Sequence, residues 1–214
     1  MLAVGSWFAK NNRTCCIGQG FPAAVDRFPI GFHVQLLEMG WSAIDAEDYG
    51  KALTLSNLIL DGNAELAEAH NLRGNVLAVL GHHAKAIEDF DRAICLRPDY
   101  AEAYYFRGLS RQELKAYREA ARDYTRAIRT GLAVAEVYNA RGASRAQCGN
   151  YPSAIRDFST AIRLKPAFAL AWYNRGITRS RLDPDSARAI ADLIRAKNLG
   201  CEPATAMLNR AGSH

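Results

Sequence analysis

Small and aromatic positions recur along this chain in a fixed order with a period of 34 residues. In each period a glycine is followed, twelve, sixteen and nineteen positions later, by an alanine, a ring side chain and a second alanine. These residues are Gly74, Ala86, Phe90 and Ala93; Gly108, Ala120, Tyr124 and Ala127; and Gly142, Ala154, Phe158 and Ala161. Because small residues let two helices approach closely and a ring fills the remaining gap, the pattern predicts pairs of packed helices.

Turn signals separate the two predicted helices of each pair. These turns, which carry glycine or proline among polar residues, lie at 80–83, 148–151 and 182–185. Pro98 and Pro166 follow the second helix of two periods, where proline ends a helix, and Gly131 takes this role in the period between them. A helix–turn–helix unit repeated at this period is typical of an α-solenoid, in which each unit packs against its neighbours.

The order of these residues resembles the tetratricopeptide repeat (TPR), a helix pair with a small residue at position eight and alanine, aromatic and alanine at positions twenty, twenty-four and twenty-seven. Counting each unit from an alanine gives repeats at 67–100, 101–134, 135–168 and 169–201. The last repeat has one extra residue in its turn, so Ala189, Leu193 and Ala196 come one place late. The resemblance implies an all-α fold, a right-handed α-solenoid of antiparallel helix pairs (a TPR superhelix).

The flanking segments are less regular. Gly40 and Ala52 lie one period before Gly74 and Ala86, so residues 33–66 are interpreted as a degenerate N-terminal TPR-like unit. Residues 202–214 are predicted to form a C-terminal capping helix and tail. Residues 1–32 show no repeat, and we interpret them as an irregular leader.

Composition narrows the class of protein. No apolar run approaches the roughly 20 residues needed to cross a bilayer, so no membrane span is predicted. The five cysteines are scattered without a C-x-x-C pair, which indicates neither a disulfide framework nor a zinc site. A reducing cytoplasm is the predicted location, with periplasmic export as the alternative if the natural start differs. No metal-ligand spacing, nucleophile elbow or phosphate loop occurs, so we predict no enzyme activity, cofactor or metal.

Charged residues follow the same period. An arginine precedes each repeat glycine, and an aspartate lies at position twenty-three, one place late in the last repeat. The predicted structural ion pairs join Arg73, Arg107, Arg141 and Arg175 to Asp89, Asp123, Asp157 and Asp192, each arginine to the aspartate of its own or the adjoining repeat. At about 100° per residue the arginines point towards the second helix of the pair, which favours this role over an anion-binding stripe. A second arginine, at Arg111, Arg145 and Arg179, follows four positions later.

A candidate peptide-binding groove follows from the family positions of the first helix. It comprises Asn71, Asn75, Tyr105, Phe106, Gln112, Asn139, Tyr173, Asn174 and Arg181. Aromatic and amide groups suit a peptide, because rings supply contact area and amides bond a main chain. Tyr105, Asn139 and Tyr173 share position five and are the first contacts that we expect. The alternative is that some of these rings only pack against neighbouring helices.

Three glutamates, Glu68, Glu102 and Glu136, are predicted to lie at the groove rim. Each is in a first helical turn, where the helix dipole favours a carboxylate by about 0.3–1 kcal/mol. The alternative is that they select a basic partner. They occupy the place where TPR proteins that hold acidic chaperone tails need a lysine, which disfavours such a clamp.

The predicted function is a non-catalytic protein–protein interaction scaffold or adaptor that binds a peptide or partner helix in the concave groove. Nucleic-acid (RNA) binding is the alternative, because the formal charge is +5 and the second helices carry many arginines on a basic convex face. Acidic residues such as Glu88 and Glu119 interrupt that face, and no aromatic platform for stacked bases is interleaved with it. The pattern therefore favours a protein or peptide partner.

Overall fold

A computed structural model describes residues 31–184 and 186–211, which form eleven α-helices and, within these ranges, no strand. The helices are α1 Phe32–Asp45, α2 Tyr49–Gly62, α3 Ala67–Val79, α4 His83–Leu96, α5 Ala101–Glu113, α6 Tyr117–Arg129, α7 Ala135–Gln147, α8 Tyr151–Leu164, α9 Ala169–Leu182, α10 Ala187–Asn198 and α11 Glu202–Ala211. The all-α prediction is confirmed. Most of the predicted leader at 1–32 lies outside the described residues, and α1 begins at Phe32.

The chain divides into two compact units, and the boundary after Phe106 falls within α5. In the first unit α1 packs on α2, α2 on α3 and α3 on α4, and the first helices α1 and α3 also touch. In the second unit each helix from α6 to α11 packs on the next one, and α7 also contacts α9. Direct contact between the first helices of successive pairs places α7 and α9 side by side.

The repeat glycines bring the two helices of each pair into close contact. A Cβ atom added to Gly74 would lie 2.8 Å from Cε1 of Phe90, and one added to Gly142 would lie 2.7 Å from Cε1 of Phe158. Both rings are at most 1% exposed. Glycine is therefore required for a close approach, in which each ring fills the space that a larger residue would occupy.

In four of the five helix pairs, the turn uses a left-handed residue at a fixed place, fifteen positions into the unit, whereas Asp183 holds this place in the last pair with a φ of −147°. Gly81 and Gly149 take φ values of 81° and 78° there, as expected for glycine. Glu47 and Lys115 hold the same place with φ values of 58° and 61°. The next helix then begins at a capping residue where the sequence offers one, since the Asn150 side chain accepts from the Ser153 amide.

Helix α11 covers the apolar end of the second unit. Its Ala204 is fully buried and clusters with Leu193 and Ala196 of α10 and with Cys201, which precedes α11. Pro203 lies in the first turn, where its missing amide hydrogen costs nothing. The apolar surface that α10 would expose is thereby removed from water.

Candidate functional site

Each repeat arginine bonds the aspartate of its own helix pair through two nitrogens. Arg141 donates from Nε to Asp157 Oδ2 at 3.0 Å and from Nη2 to Oδ1 at 2.7 Å. The same paired contact joins Arg73 with Asp89, Arg107 with Asp123, and Arg175 with Asp192. The four aspartate side chains are only 4–7% exposed. Of the two predicted alternatives, the structure thus shows each repeat arginine paired with the aspartate of its own repeat.

The third nitrogen of the guanidinium reaches the preceding helix. Arg73 Nη1 donates to Asn57 of α2 at 3.1 Å, and Arg175 Nη1 donates to Ser159 of α8 at 2.9 Å. Arg141 Nη1 makes the equivalent, longer contact with Thr125 of α6 at 3.3 Å. One arginine therefore ties three helices together. Sequence reasoning missed these acceptors, although a polar residue sixteen positions before each arginine was the available signal.

A second arginine bonds the same aspartate in three repeats. Nη1 of Arg111, Arg145 and Arg179 lies 2.7, 2.7 and 2.6 Å from Asp123, Asp157 and Asp192, respectively. One carboxylate then faces two guanidinium groups, so each cluster carries an excess positive charge. Burial lowers the pKa of Arg145, the Asp157 charge opposes this shift, and the Arg141 charge lowers it further.

The repeat at 67–100 uses a histidine in place of the second arginine. Leu77 holds the arginine position there, and His70 Nδ1 lies 3.1 Å from Asp89 Oδ1. Its Nε2 lies 3.0 Å from the Ala64 carbonyl oxygen. Trp172 holds the same repeat position, and its Nε1 makes the equivalent bond to the Pro166 carbonyl oxygen at 2.9 Å. The His70 ring thus connects Asp89 of α4 with the Ala64 carbonyl before α3, and its tautomer sets which nitrogen donates.

The Asp89 carboxylate is held ionised by these donors. Burial alone would raise its pKa, but hydrogen bonds from Arg73 and His70 outweigh burial, and the pKa falls below its ordinary value. The hydrogen bonds that Arg73 donates to Asp89 correspondingly raise the pKa of Arg73. The cluster is thus a charge-assisted connection between α3 and α4.

The predicted groove residues of the first unit are buried. Asn71, Asn75, Tyr105 and Phe106 are 1%, 8%, 2% and 9% exposed. Asn71 Nδ2 donates to the Tyr100 hydroxyl at 3.2 Å, and the Phe106 ring stacks on Phe90 with centroids 6.2 Å apart. These contacts fit the packing alternative, because little of each side chain remains for a ligand to touch.

The second unit offers more accessible groups. Gln112, Tyr173 and Asn174 are half-buried and Arg181 is exposed, whereas Asn139 is 7% exposed. Asn174 Nδ2 donates to Asn139 Oδ1 at 3.0 Å and so links α9 to α7.

Two further bonds fix the Gln112 side chain. Its Oε1 accepts from the Tyr124 hydroxyl at 3.0 Å and from Ser144 Oγ at 3.3 Å. The amides of Gln112 and Asn174 are therefore held in set orientations.

Two of the three predicted rim glutamates form ion pairs within their own repeats. Glu68 pairs with Arg97, and Glu136 Oε1 lies 2.9 Å from Lys165 Nζ. In the repeat that contains Glu102, which is half-buried, Gly131 occupies the place of these cations. Glu68 and Glu136 are paired within the chain, so their negative charge is offset. It is therefore less available to attract a basic partner.

Two other kinds of site are absent from the part of the chain that the structure describes. No helix there combines the length and apolarity of a membrane span. No group of three or more His, Cys, Asp or Glu side chains in the same ranges could hold a metal ion.

Comparison with known proteins matches two parts of this helical array. A family model described as Tetratricopeptide repeat matches residues 67–100, and one described as TPR repeat matches residues 142–183. No curated protein matches the chain significantly.

Solved structures share the fold at low identity. A MamA structure from Desulfovibrio magneticus RS-1 is 21% identical, with 80% of this chain and 97% of that chain covered and a TM-score of 0.72. YrrB, described as a TPR protein with an unusual peptide-binding site, is 20% identical, with 84% and 92% covered and a TM-score of 0.70.

The matched segments, 67–100 and 142–183, are tetratricopeptide repeats. The chain is an all-α TPR solenoid. Tetratricopeptide repeats serve as protein–protein interaction scaffolds, and proteins of this fold are generally non-catalytic interaction modules.

Proposed function

We propose that the chain is an adaptor that binds a peptide or partner helix on the surface formed by α7, α9 and Gln112 in the second unit. We call this the amide face and define it by Gln112, Asn139, Tyr173 and Asn174. The observation that carries the proposal is the hydrogen bond between Asn139 and Asn174, because it joins two first helices through groups that peptides also recognise.

The free atoms of the amide face match a main chain. Gln112 Nε2, Asn139 Nδ2 and Asn174 Oδ1 make no hydrogen bond to another residue in the described part of the chain. The other polar atom of each amide, Gln112 Oε1, Asn139 Oδ1 or Asn174 Nδ2, is already bonded within the chain. The amides therefore keep their orientation without a ligand. A peptide then pays little side-chain entropy for these contacts, and the Tyr173 ring adds apolar area beside them.

The proposed partner is recognised mainly by polar and aromatic contacts. Glu136 is paired with Lys165, so its charge does not by itself select a basic partner. YrrB, which has the same fold, is described as having an unusual peptide-binding site, and this supports a peptide as the ligand class.

Affinity capture from native lysate, run with and without nuclease treatment, tests the proposal. Wild-type protein is compared with a Gln112→Ala/Tyr173→Ala/Asn174→Ala variant, and retained proteins are identified by mass spectrometry. We expect specific partners to be retained by the wild type and lost by this variant.

A matched control carries Arg163→Ala, Ile190→Ala and Ile194→Ala, three exposed changes on α8 and α10. It should retain the same partners. Partners retained equally by all three proteins would contradict the amide face as the site. Retention that disappears after nuclease treatment would instead indicate nucleic-acid binding through the basic convex face of the second helices.

A further inference from the structure

One side of helix α10 is apolar and yet exposed. Helix α11 covers Leu193 and Ala196 of α10, whereas Ile190 and Ile194 are 48% and 46% exposed. These two isoleucines lie four residues apart, so they share one side of the helix. They are not part of the amide face, and they form a separate surface on which a partner could dock.

The earlier repeats show what usually covers this side of a second helix. In the four preceding pairs the place of Ile190 is held by a half-buried residue: Leu53, Ile87, Ala121 or Ile155. In three of those pairs the place of Ile194 carries a polar group that accepts a bond from the arginine of the next pair: Asn57, Thr125 or Ser159. In the last pair isoleucine replaces this acceptor, which suits an apolar contact rather than another repeat arginine.

Basic residues flank the two isoleucines. Arg188 and Arg195 lie on one side of them and Lys197 on the other, and all three are exposed. The one acid of α10, Asp192, is buried in its arginine cluster. We define the α10 face by Arg188, Ile190, Ile194, Arg195 and Lys197. A complementary partner has apolar side chains next to acidic ones.

Helix α1 of the same chain has this chemistry. Val34, Glu38, Trp41 and Asp45 follow one another at helical spacing on the side opposite the buried residues of α1. Val34 is 57% exposed, Glu38 and Asp45 are exposed, and Trp41 is half-buried. We call these four residues the α1 face. It combines two apolar side chains with two carboxylates.

The charges of the two faces match in sign and in spacing. Glu38 and Asp45 lie seven residues apart, as do Arg188 and Arg195, and seven residues span about 10.5 Å of helix. Two packed helices can therefore align both charge pairs at once. Residues 31–66 as a whole contain six acidic residues and one lysine, which favours the approach of a basic surface.

We propose that the chain self-associates head to tail, with the α1 face of one copy on the α10 face of the next. The isoleucines of α10 then pack against Val34 and Trp41, and the flanking charges pair across the contact and set its register. Because the two faces differ, the contact is heterologous. Each pair of copies leaves one unused face at either end, so further copies add as the concentration rises.

Sedimentation velocity over a concentration series at low ionic strength tests the proposal. The basic-face variant is Arg188→Glu/Arg195→Glu/Lys197→Glu, and the acidic-face variant is Glu38→Lys/Asp45→Lys. We expect concentration-dependent oligomers of the wild type, and a dissociation constant at least about tenfold larger for each variant alone. An equimolar mixture of the two variants should associate again, because it pairs an intact α1 face with an intact α10 face.

The matched control is Arg118→Glu/Arg122→Glu/Arg163→Glu, which reverses the same charge at exposed positions on α6 and α8. It should associate like the wild type. If the basic-face variant does not fold, as judged by circular dichroism, Ile194→Gln is compared with Leu164→Gln, because both side chains are 46% exposed. Only Ile194→Gln should weaken association. In the capture experiment, Ile190→Ala and Ile194→Ala should remove a second copy of the chain but no amide-face partner.

A wild type that stays monomeric throughout the concentration series would overturn the proposal. An acidic-face variant that associates normally would also overturn it and would indicate contact between two α10 faces. A mixture of the two variants that does not recover association would be equally contrary. A monomeric wild type that retains an acidic protein from native lysate through Ile194 would assign the α10 face to a different partner.

Discussion

The buried aspartate of each repeat contacts two basic side chains at once. Asp157 accepts two bonds from Arg141 and one from Arg145, and Arg141 in turn reaches Thr125 on the preceding helix. Removing the carboxylate leaves two guanidinium groups without their counter-charge in a largely buried place. The main destabilising effect of removing the aspartate is therefore the cost of leaving two buried guanidinium groups unpaired, rather than the sum of the lost hydrogen bonds.

Asp157→Asn should lower the free energy of unfolding by about 3 kcal/mol, because the amide keeps the shape but loses the charge. Chemical denaturation monitored by circular dichroism measures this change. Glu113→Gln, an exposed charge removal at the end of α5, is the control and should change stability by less than about 0.5 kcal/mol. Equal, small effects would show that the pairs do not contribute as argued.

Asp89 makes stability depend on pH in a defined direction. Its pKa in the folded chain lies below the ordinary value of 3.8, so the unfolded chain binds the proton more readily. The stabilisation is complete above the ordinary pKa and is lost as the pH falls through the lower, folded value. Denaturation series from pH 7 to pH 2 should show Asp89→Asn losing less stability on acidification than the wild type. A parallel loss in both proteins would contradict this assignment.

At the scale of helices and turns, periodic features could be predicted and neighbour-dependent features could not. The pairing of Arg73 with Asp89 follows from position on the helix wheel, which sequence determines. Burial does not follow in this way. Tyr105 and Tyr173 hold the same repeat position, yet Tyr105 is 2% exposed and Tyr173 is half-buried. Repeat position alone therefore does not predict how accessible a ring is, because accessibility depends on the side chains packed around it.

The turn of the repeat at 101–134 was also hidden from sequence reasoning, because Lys115 stands where the repeats at 67–100 and 135–168 have glycine. Its left-handed conformation, with φ of 61°, is strained for a residue with a Cβ atom. Lys115→Gly should raise the free energy of unfolding by about 0.5–1 kcal/mol, measured by urea denaturation. The reverse test, Gly149→Ala, should lower it by about 1 kcal/mol. Opposite signs for either change would contradict the turn geometry.

Helix pairing predicts a cost for enlarging a repeat glycine. Gly142→Ala would place a methyl group 2.7 Å from Phe158 Cε1, and the buried ring must shift. We expect a loss of about 1–3 kcal/mol in the free energy of unfolding. Gly50→Ala is the matched control, because its nearest neighbour would be Asp48 Oδ1 at 3.8 Å. It should be neutral or stabilising, since alanine is the better helix former.

At the scale of the whole molecule, the two compact units differ in what they offer a partner. The first unit buries its candidate groove residues, whereas the second presents half-buried Gln112, Tyr173 and Asn174. The arginine–aspartate clusters occur in both units and account for helix pairing rather than recognition. Partner specificity is therefore proposed to lie in the amide face, where oriented amides adjoin a partly exposed ring.

Site-specific photo-crosslinking tests this central claim most directly. A photoreactive benzoylphenylalanine replaces Tyr173 on α9 or, as the control, the half-buried Tyr117 on α6. Both proteins are irradiated in native lysate, and cross-linked peptides are identified by mass spectrometry. The account predicts a specific protein adduct from position 173 that is absent from position 117 and weakened by Asn174→Ala. An adduct from position 117 alone, or adducts from position 173 that ignore Asn174→Ala, would contradict it.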